Sequence, residues 1–122
     1  MKLLLDTSAL IRWNTGRMGR EGIRAVERAD VVFVSAVSAW EVAIKRALGK
    51  LKFDGRLADV IERYGFTPLA VDVIHADGVR DLPVHHYDPF DRLLIAQALE
   101  EGLTILTTDR AFDAYRVPIL EG

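Results

Sequence analysis

The 122-residue chain contains no cysteine. That excludes disulfides, thiolate metal sites and a cysteine nucleophile. It lacks any apolar run near the ~20 residues that span a bilayer, so an integral membrane protein is not expected. The opening Met-Lys-Leu-Leu-Leu-Asp is too short an apolar stretch for a secretory signal, and a cytoplasmic protein is the expectation. The few prolines and glycines are scattered, with no linker, repeat or low-complexity stretch, so one domain over residues 1–122 is expected. Disorder is excluded by the 50% apolar content against 28% charged. A basic excess is also missing. Sixteen Lys and Arg face 18 Asp and Glu, for a net charge of −2 and a pI near 5.9. Nucleic-acid-binding domains are usually basic, so the balance at first argues against one.

What is present is a strand–helix alternation. Lys2 to Leu5, the continuous run Val31 to Val34, Thr67 to Val71, Leu103 to Thr107 and Arg116 to Leu120 read as strands. Pro68 weakens the first half of the third, and Pro118 places the fifth at an edge. Helical patterns cover Ala9 to Trp13, Arg20 to Arg28, Ser38 to Leu48, Leu57 to Tyr64, Val73 to Leu82 and Pro89 to Glu101. Gly49, Gly65 and Gly102 stand where three of these should stop. The alternation predicts an α/β fold: a three-layer α/β/α sandwich around a central parallel sheet of about five strands.

Sites in parallel sheets form beyond the carboxyl ends of the strands. The first strand ends at Asp6-Thr7-Ser8 and the fourth at Thr107-Thr108-Asp109. The second leads through Ser35 into the helix carrying Glu41, and the helix entering the fourth begins with Asp88 and Asp91. Glu41 falls on the stripe Val37, Trp40, Ile44, Leu48, and Asp91 on the stripe Leu94, Ile95, Ala98, Leu99. A carboxylate aimed into a core is costly unless hydrogen-bonded, paired or bound to a cation.

Each acid also has a structural role open to it. Asp6, Asp88 and Asp109 suit helix caps, and Asp91 the third position of a capping box. Glu41 is mid-helix and cannot cap, which leaves a buried pair with Arg12 or Arg46. Together, Asp6, Glu41, Asp91 and Asp109 would repel one another unless a cation sat among them. An all-oxygen site suits Mg²⁺ or Mn²⁺. Thr7, Ser8, Thr107 and Thr108 offer hydroxyls to orient ligands, with Asp88 as a cap or auxiliary ligand. His75, His85 and His86 offer less, because a zinc site would want three or four well-placed ligands. Trp13 and Trp40 read as core residues.

Four segments in order, Leu-Leu-Leu-Asp6-Thr7-Ser8, Ser35-Ala-Val-Ser38-Ala-Trp-Glu41, Asp88-Pro-Phe-Asp91-Arg92 and Thr108-Asp109-Arg-Ala-Phe112, resemble a PIN-domain endoribonuclease, in particular the toxin of a VapBC-type toxin–antitoxin pair. The resemblance covers essentially the whole chain. It implies Asp6, Glu41, Asp91 and Asp109 as metal-binding and catalytic acids, Mg²⁺ or Mn²⁺ as cofactor, RNA as substrate, a homodimer, and a DNA-binding antitoxin as partner. His86 then has a substrate phosphate as the one functional contact open to it.

A phosphate-accepting receiver domain competes weakly. It expects paired acids after the first strand and a Lys near the last, and neither is present. A catalytically silent protein of the same fold, acting through its partner, is the other alternative. The charge also reads differently once the site is set aside. Without Asp6, Glu41, Asp88, Asp91 and Asp109, 13 acids remain against 16 basic residues, twelve of them Arg. An acidic pI thus averages an acidic pocket with a mildly basic remainder.

Overall fold

The computed structural model describes residues 1–85 and 88–122. The expected contact of His86 lies outside them. Five strands, β1 (Lys2–Leu5), β2 (Val31–Ser35), β3 (Thr67–Leu69), β4 (Thr104–Thr107) and β5 (Ile119–Glu121), form one sheet in the order β3-β2-β1-β4-β5. Every pairing is parallel. The helices are α1 (Thr7–Asn14), α2 (Arg20–Arg28), α3 (Ala36–Ala47), α4 (Leu57–Tyr64), α5 (Val73–Gly78) and α6 (Pro89–Glu101).

The run of leucines in β1 is explained by its central place. Leu3, Leu4 and Leu5 are all fully buried, and alternation sends Leu3 and Leu5 to one face and Leu4 to the other. Leu3 and Leu5 pack with Leu10, Val26 and Val60 from α1, α2 and α4. Leu4 packs with Leu94, Ile95 and Ala98 from α6. Two cores on one sheet are the expected three layers. Helix α3 belongs to both, with Val42 in the first core and Val37 in the second.

Strand order sets the site. The chain leaves β1 for β2 and β3 on one side, then returns to β4 and β5 on the other. The order therefore switches between β1 and β4, at whose carboxyl ends a crevice forms. Helices α1 and α3 start there, directly after β1 and β2. Helix α6 runs back into β4, so its first turn lies at the same end.

Several boundaries differ from the sequence expectation. Helix α3 starts at Ala36 rather than Ser38, because the Ser35 hydroxyl accepts the Val37 N–H at 3.0 Å and caps it. The helix expected over Val73 to Leu82 stops at Gly78 and tightens into a 3₁₀ turn, Val79–Asp81. There the Arg92 guanidinium gathers the carbonyls of Val79, Leu82 and Pro83, holding the chain off the helical path. β3 ends at Leu69, two residues early, and the next carbonyl, Ala70, accepts from the Gln97 amide. β5 begins only after Pro118, whose nitrogen cannot donate to a ladder. A 3₁₀ turn over Arg110–Ala114, capped by Asp109, was not expected. Among the described residues, no helix is long and apolar enough to cross a membrane.

Candidate metal centre

Asp6 ends β1 and caps α1. One of its oxygens, Oδ1, accepts the Ala9 N–H at 2.7 Å, and Oδ2 accepts the Thr107 hydroxyl at 2.5 Å. The side chain is 3% exposed. Burial pushes the Asp6 carboxyl above its ordinary range, and the Asp109 carboxylate pushes the same way. The Thr107 hydroxyl, the Ala9 amide and the Arg12 guanidinium act against that rise. The same Thr107 oxygen accepts the Asp109 N–H at 2.9 Å, so one hydroxyl at the end of β4 joins the two acids. Asp109 itself is exposed and caps the following turn through the Ala111 N–H.

Glu41 is buried on α3 at 5% exposure. Its Oε2 holds the Lys45 ammonium at 2.5 Å, one helical turn on. Its Oε1 is buried and has no hydrogen-bond partner among the described residues. The sequence expectation of Arg12 or Arg46 as partner is corrected here. Arg12 reaches Ser8 Oγ and the Gly122 carbonyl, Arg46 reaches the Gly55 carbonyl, and the i,i+4 Lys45 is nearer than either. The Lys45 ammonium is held above its ordinary range, first by its hydrogen bond to Glu41 and also by the charges of Asp88 and Asp91. Lys45 therefore lies within electrostatic reach of three of the expected acids.

Asp88 caps α6, accepting the N–H groups of Phe90 and Asp91 at 2.9 and 3.0 Å. Pro89 takes the first helical position, where a missing N–H costs nothing. Asp91 is half-buried in the first turn of α6. Of the hydroxyls, Thr7 is buried and donates to Ser38 Oγ at 3.0 Å, which ties α1 to α3. Ser8 is exposed and accepts from Arg12 at 2.8 Å, and Thr108 is exposed on the rim.

The stripe read for α3 is displaced. Its buried residues are Val37, Ser38, Glu41 and Val42, while Trp40 is 56% exposed and Leu48 lies outside the core. Helix α3 is packed on by α1 and α6 as well as by β2, which shifts the face it buries from the one that periodicity alone marks. Trp40 is thus not a core residue; it meets Phe90 edge-to-face at 5.0 Å on the rim. Trp13 is partly buried against the first core, as expected. On α6, Leu94, Ile95 and Ala98 are buried but Leu99 is exposed.

Between the helices runs a tie the sequence reading missed. Gln97 is fully buried on α6, accepts the Ser35 hydroxyl at 2.5 Å and donates to the Ala70 carbonyl at 3.2 Å. It fixes the start of α3 against α6, and so the position of Glu41 against the helix of Asp91. A glutamine set between Ala96 and Ala98 in an apolar run was the signal for it. For Lys45 the signal was its spacing from Glu41. Ser38 carried none.

A family model for the PIN domain matches residues 3–118. The chain belongs to the PIN domain family. Among its relatives, Ribonuclease VapC22 of Mycobacterium tuberculosis (strain ATCC 25618 / H37Rv) is 30% identical, covering 95% of this chain and 93% of that protein. Two solved structures share the fold. VapBC2 from Rickettsia felis, bound to a DNA fragment from its promoter, superposes with a TM-score of 0.75 at 12% identity, covering 99% of this chain and 98% of that one. A toxin–antitoxin complex from Klebsiella pneumoniae superposes at 0.67 with 18% identity, covering 97% and 95%.

The donor set of this PIN domain fits a hard divalent cation. Its ligand-type groups are carboxylate and hydroxyl oxygens without sulfur, and a buried carboxylate oxygen, Glu41 Oε1, is left without a donor. Among the described residues, the group of three ligand-type side chains whose ligand atoms lie within 4.8 Å of one another is Asp72, His75 and Glu101; Asp6, Glu41, Asp91 and Asp109 are not drawn that close together. The Asp72 group's own hydrogen bonds account for it. His75 Nδ1 accepts the Asp72 N–H at 3.1 Å in a capping box, which leaves the proton on Nε2, 2.9 Å from Glu101 Oε1. His75 is a buried staple between α5 and α6.

Proposed function

We propose that this PIN domain is a metal-dependent endoribonuclease, a growth-inhibiting toxin of the cytoplasm held in check by a cognate antitoxin. The whole chain from 1 to 122 is read as one nuclease domain. The observation that carries the reading is the buried Oε1 of Glu41, unpartnered among the described residues, on a helix that starts at the same end of the sheet as the desolvated Asp6. The ribonuclease name of the relative that spans nearly the whole chain, and the toxin–antitoxin complex of the same fold, support the substrate and the partner. Dimerisation of the toxin belongs to the same reading.

Asp6 and Asp91 are the residues that would chiefly hold the ion, Mg²⁺ or Mn²⁺, with Asp109 and Glu41 completing the site directly or through a bound water. When bound, it supplies a lowered pKa for a coordinated water and charge neutralisation on the scissile phosphate. The chain's own residues prepare that chemistry. Thr107 fixes the orientation of Asp6 by donating to Oδ2, and orders Asp109 by accepting its N–H. Lys45 holds one oxygen of Glu41 and leaves Oε1 as a general base for the attacking water. Attack of that water on phosphorus, its proton passing to Glu41, breaks the bond to the 3′-oxygen, which takes a proton from solvent, so the products are a 5′-phosphate and a 3′-hydroxyl.

The test is cleavage of single-stranded and transfer RNA by purified protein with Mg²⁺, Mn²⁺ or EDTA. Cleavage should require the ion and vanish in Asp6→Asn and Asp91→Asn. Cutting that persists unchanged in EDTA overturns the metal reading. A protein that binds its partner but cuts no RNA with either ion favours the silent alternative.

A further inference from the structure

Two cavities flank the acidic centre, and they share Arg12. One, of about 290 Å³, is lined by Thr7, Ser8, Arg12, Glu41, Lys45 and Lys50. The other, of about 500 Å³, is lined by Arg12, Arg17, Arg20 and Thr108, with Glu21 and Glu121 on its wall. Three cations face one acid in the first cavity, and three face two in the second.

The cations are placed by one backbone device used twice. Helix α1 ends in a left-handed turn at Gly16 (φ 72°), where the Arg17 N–H returns to the Arg12 carbonyl at 2.8 Å. Helix α3 ends in the same way at Gly49 (φ 70°), where the Lys50 N–H returns to the Lys45 carbonyl at 2.9 Å. In both Schellman turns the residue after the glycine is folded back over the cation that opens the turn. Arg17 is thereby set beside Arg12, and Lys50 beside Lys45.

Among the described residues, Glu41 is the one acidic side chain in an ion pair with any of the four, through Lys45. Arg12 donates to Ser8 Oγ and to the main-chain oxygen of Gly122. Lys45 gives one hydrogen bond to Glu41 and has two further protons. Arg17 and Lys50 are exposed. A carboxylate centre alone repels a polyanion, so a nuclease needs positive charge close to it to hold the strand.

We propose that Arg12, Arg17, Lys45 and Lys50 form a phosphate-binding strip beside the carboxylate centre, which holds the phosphates next to the scissile one in a single RNA strand. This rests on the ribonuclease reading. Cations in the last turn of a helix also favour its dipole, so stability alone does not test the strip.

The test is fluorescence anisotropy of a short labelled oligouridylate in EDTA, where cleavage does not interfere, over a series of salt concentrations. Lys50→Gln and Arg17→Gln should each weaken binding severalfold at low salt. Each should also lower the log–log salt slope by about 0.7, the value for one fewer neutralised phosphate on a single strand. Arg28→Gln, in the last turn of α2 just before β2 begins, controls for net charge and should keep the wild-type slope. Arg12→Lys should weaken binding by losing the forked donor while keeping the charge. A wild-type slope in both Lys50→Gln and Arg17→Gln overturns the strip. Cleavage measured separately keeps the two readings apart. Wild-type protein that cuts RNA while both variants bind normally refutes the strip alone, whereas protein that binds with the expected slopes and never cuts refutes the nuclease alone.

Discussion

Lys45 holds one oxygen of Glu41 and leaves the other buried without a donor. One carboxylate thus has one oxygen paired and one open. Removing the lysine tests both. Lys45→Gln should destabilise the metal-free protein by about 1–3 kcal/mol, the cost of leaving a buried acceptor unsatisfied. Saturating Mg²⁺ should recover much of that loss, because a cation binding only the folded state stabilises it by mass action. Urea titrations with and without Mg²⁺ read both quantities. A gap between variant and wild type that Mg²⁺ leaves unchanged would place Glu41 outside the metal centre.

Thr107 is the hinge of the pair Asp6 and Asp109. Its hydroxyl holds down the Asp6 carboxyl, which burial raises. Thr107→Val keeps the shape and removes that bond. The Asp6 carboxyl should rise further, so the acidic limb of the cleavage pH profile should move to higher pH. The loss of stability should be about 1.5–3 kcal/mol, as for a hydrogen bond to a charged group. A pH–rate profile that stays in place would mean that Asp6 is not the group that must ionise.

His75 should matter for stability alone. His75→Ala removes the capping box of α5 and the link to Glu101 and leaves a cavity, at a cost of about 2–4 kcal/mol. The metal dependence of cleavage, measured on the folded variant, should be that of the wild type. A changed metal requirement would identify Asp72, His75 and Glu101 as a working cation site instead of a staple.

The strands were legible because a central parallel strand must be apolar on both faces, and Leu3 to Leu5 and Val31 to Val34 can be little else. The acids were legible because each sits just beyond such a strand, or in a helix leading into or out of one. Side-chain partners were not. The choice of Lys45 among three nearby cations as the partner of Glu41 depends on the rotation of α3, and that rotation is set by α1 and α6 packing on it. The same rotation exposes Trp40 and Leu48, which periodicity alone places inside. Asp6, Asp88 and Asp109 read as either caps or site acids, and all three do cap. A cap aims a carboxylate across a helix start, so for Asp6 capping also fixes it toward the crevice.

Asp6 gives the sharpest test through pH. Its ordinary value is 3.8, and burial raises it in the folded protein. The folded state then binds this proton more tightly than the unfolded chain, so stability falls as pH rises between the two values. The contribution of protonated Asp6 is fully present below 3.8 and is lost as pH climbs through the raised value, by about 1.4 kcal/mol for each unit of elevation. Asp6→Asn has no such proton, and asparagine caps a helix as well as aspartate does. In EDTA the variant should therefore gain on the wild type as pH rises from about 4 toward neutrality, and level off where Asp6 is fully ionised. Mg²⁺ should reverse the order at neutral pH by stabilising the wild type more. Cleavage by the variant should fall at least about a hundredfold. Denaturant titrations across this range, with EDTA or Mg²⁺, decide it. A stability difference that is flat with pH, or a variant that gains as much from Mg²⁺ as the wild type, would show that the Asp6 charge is not held in wait for a cation.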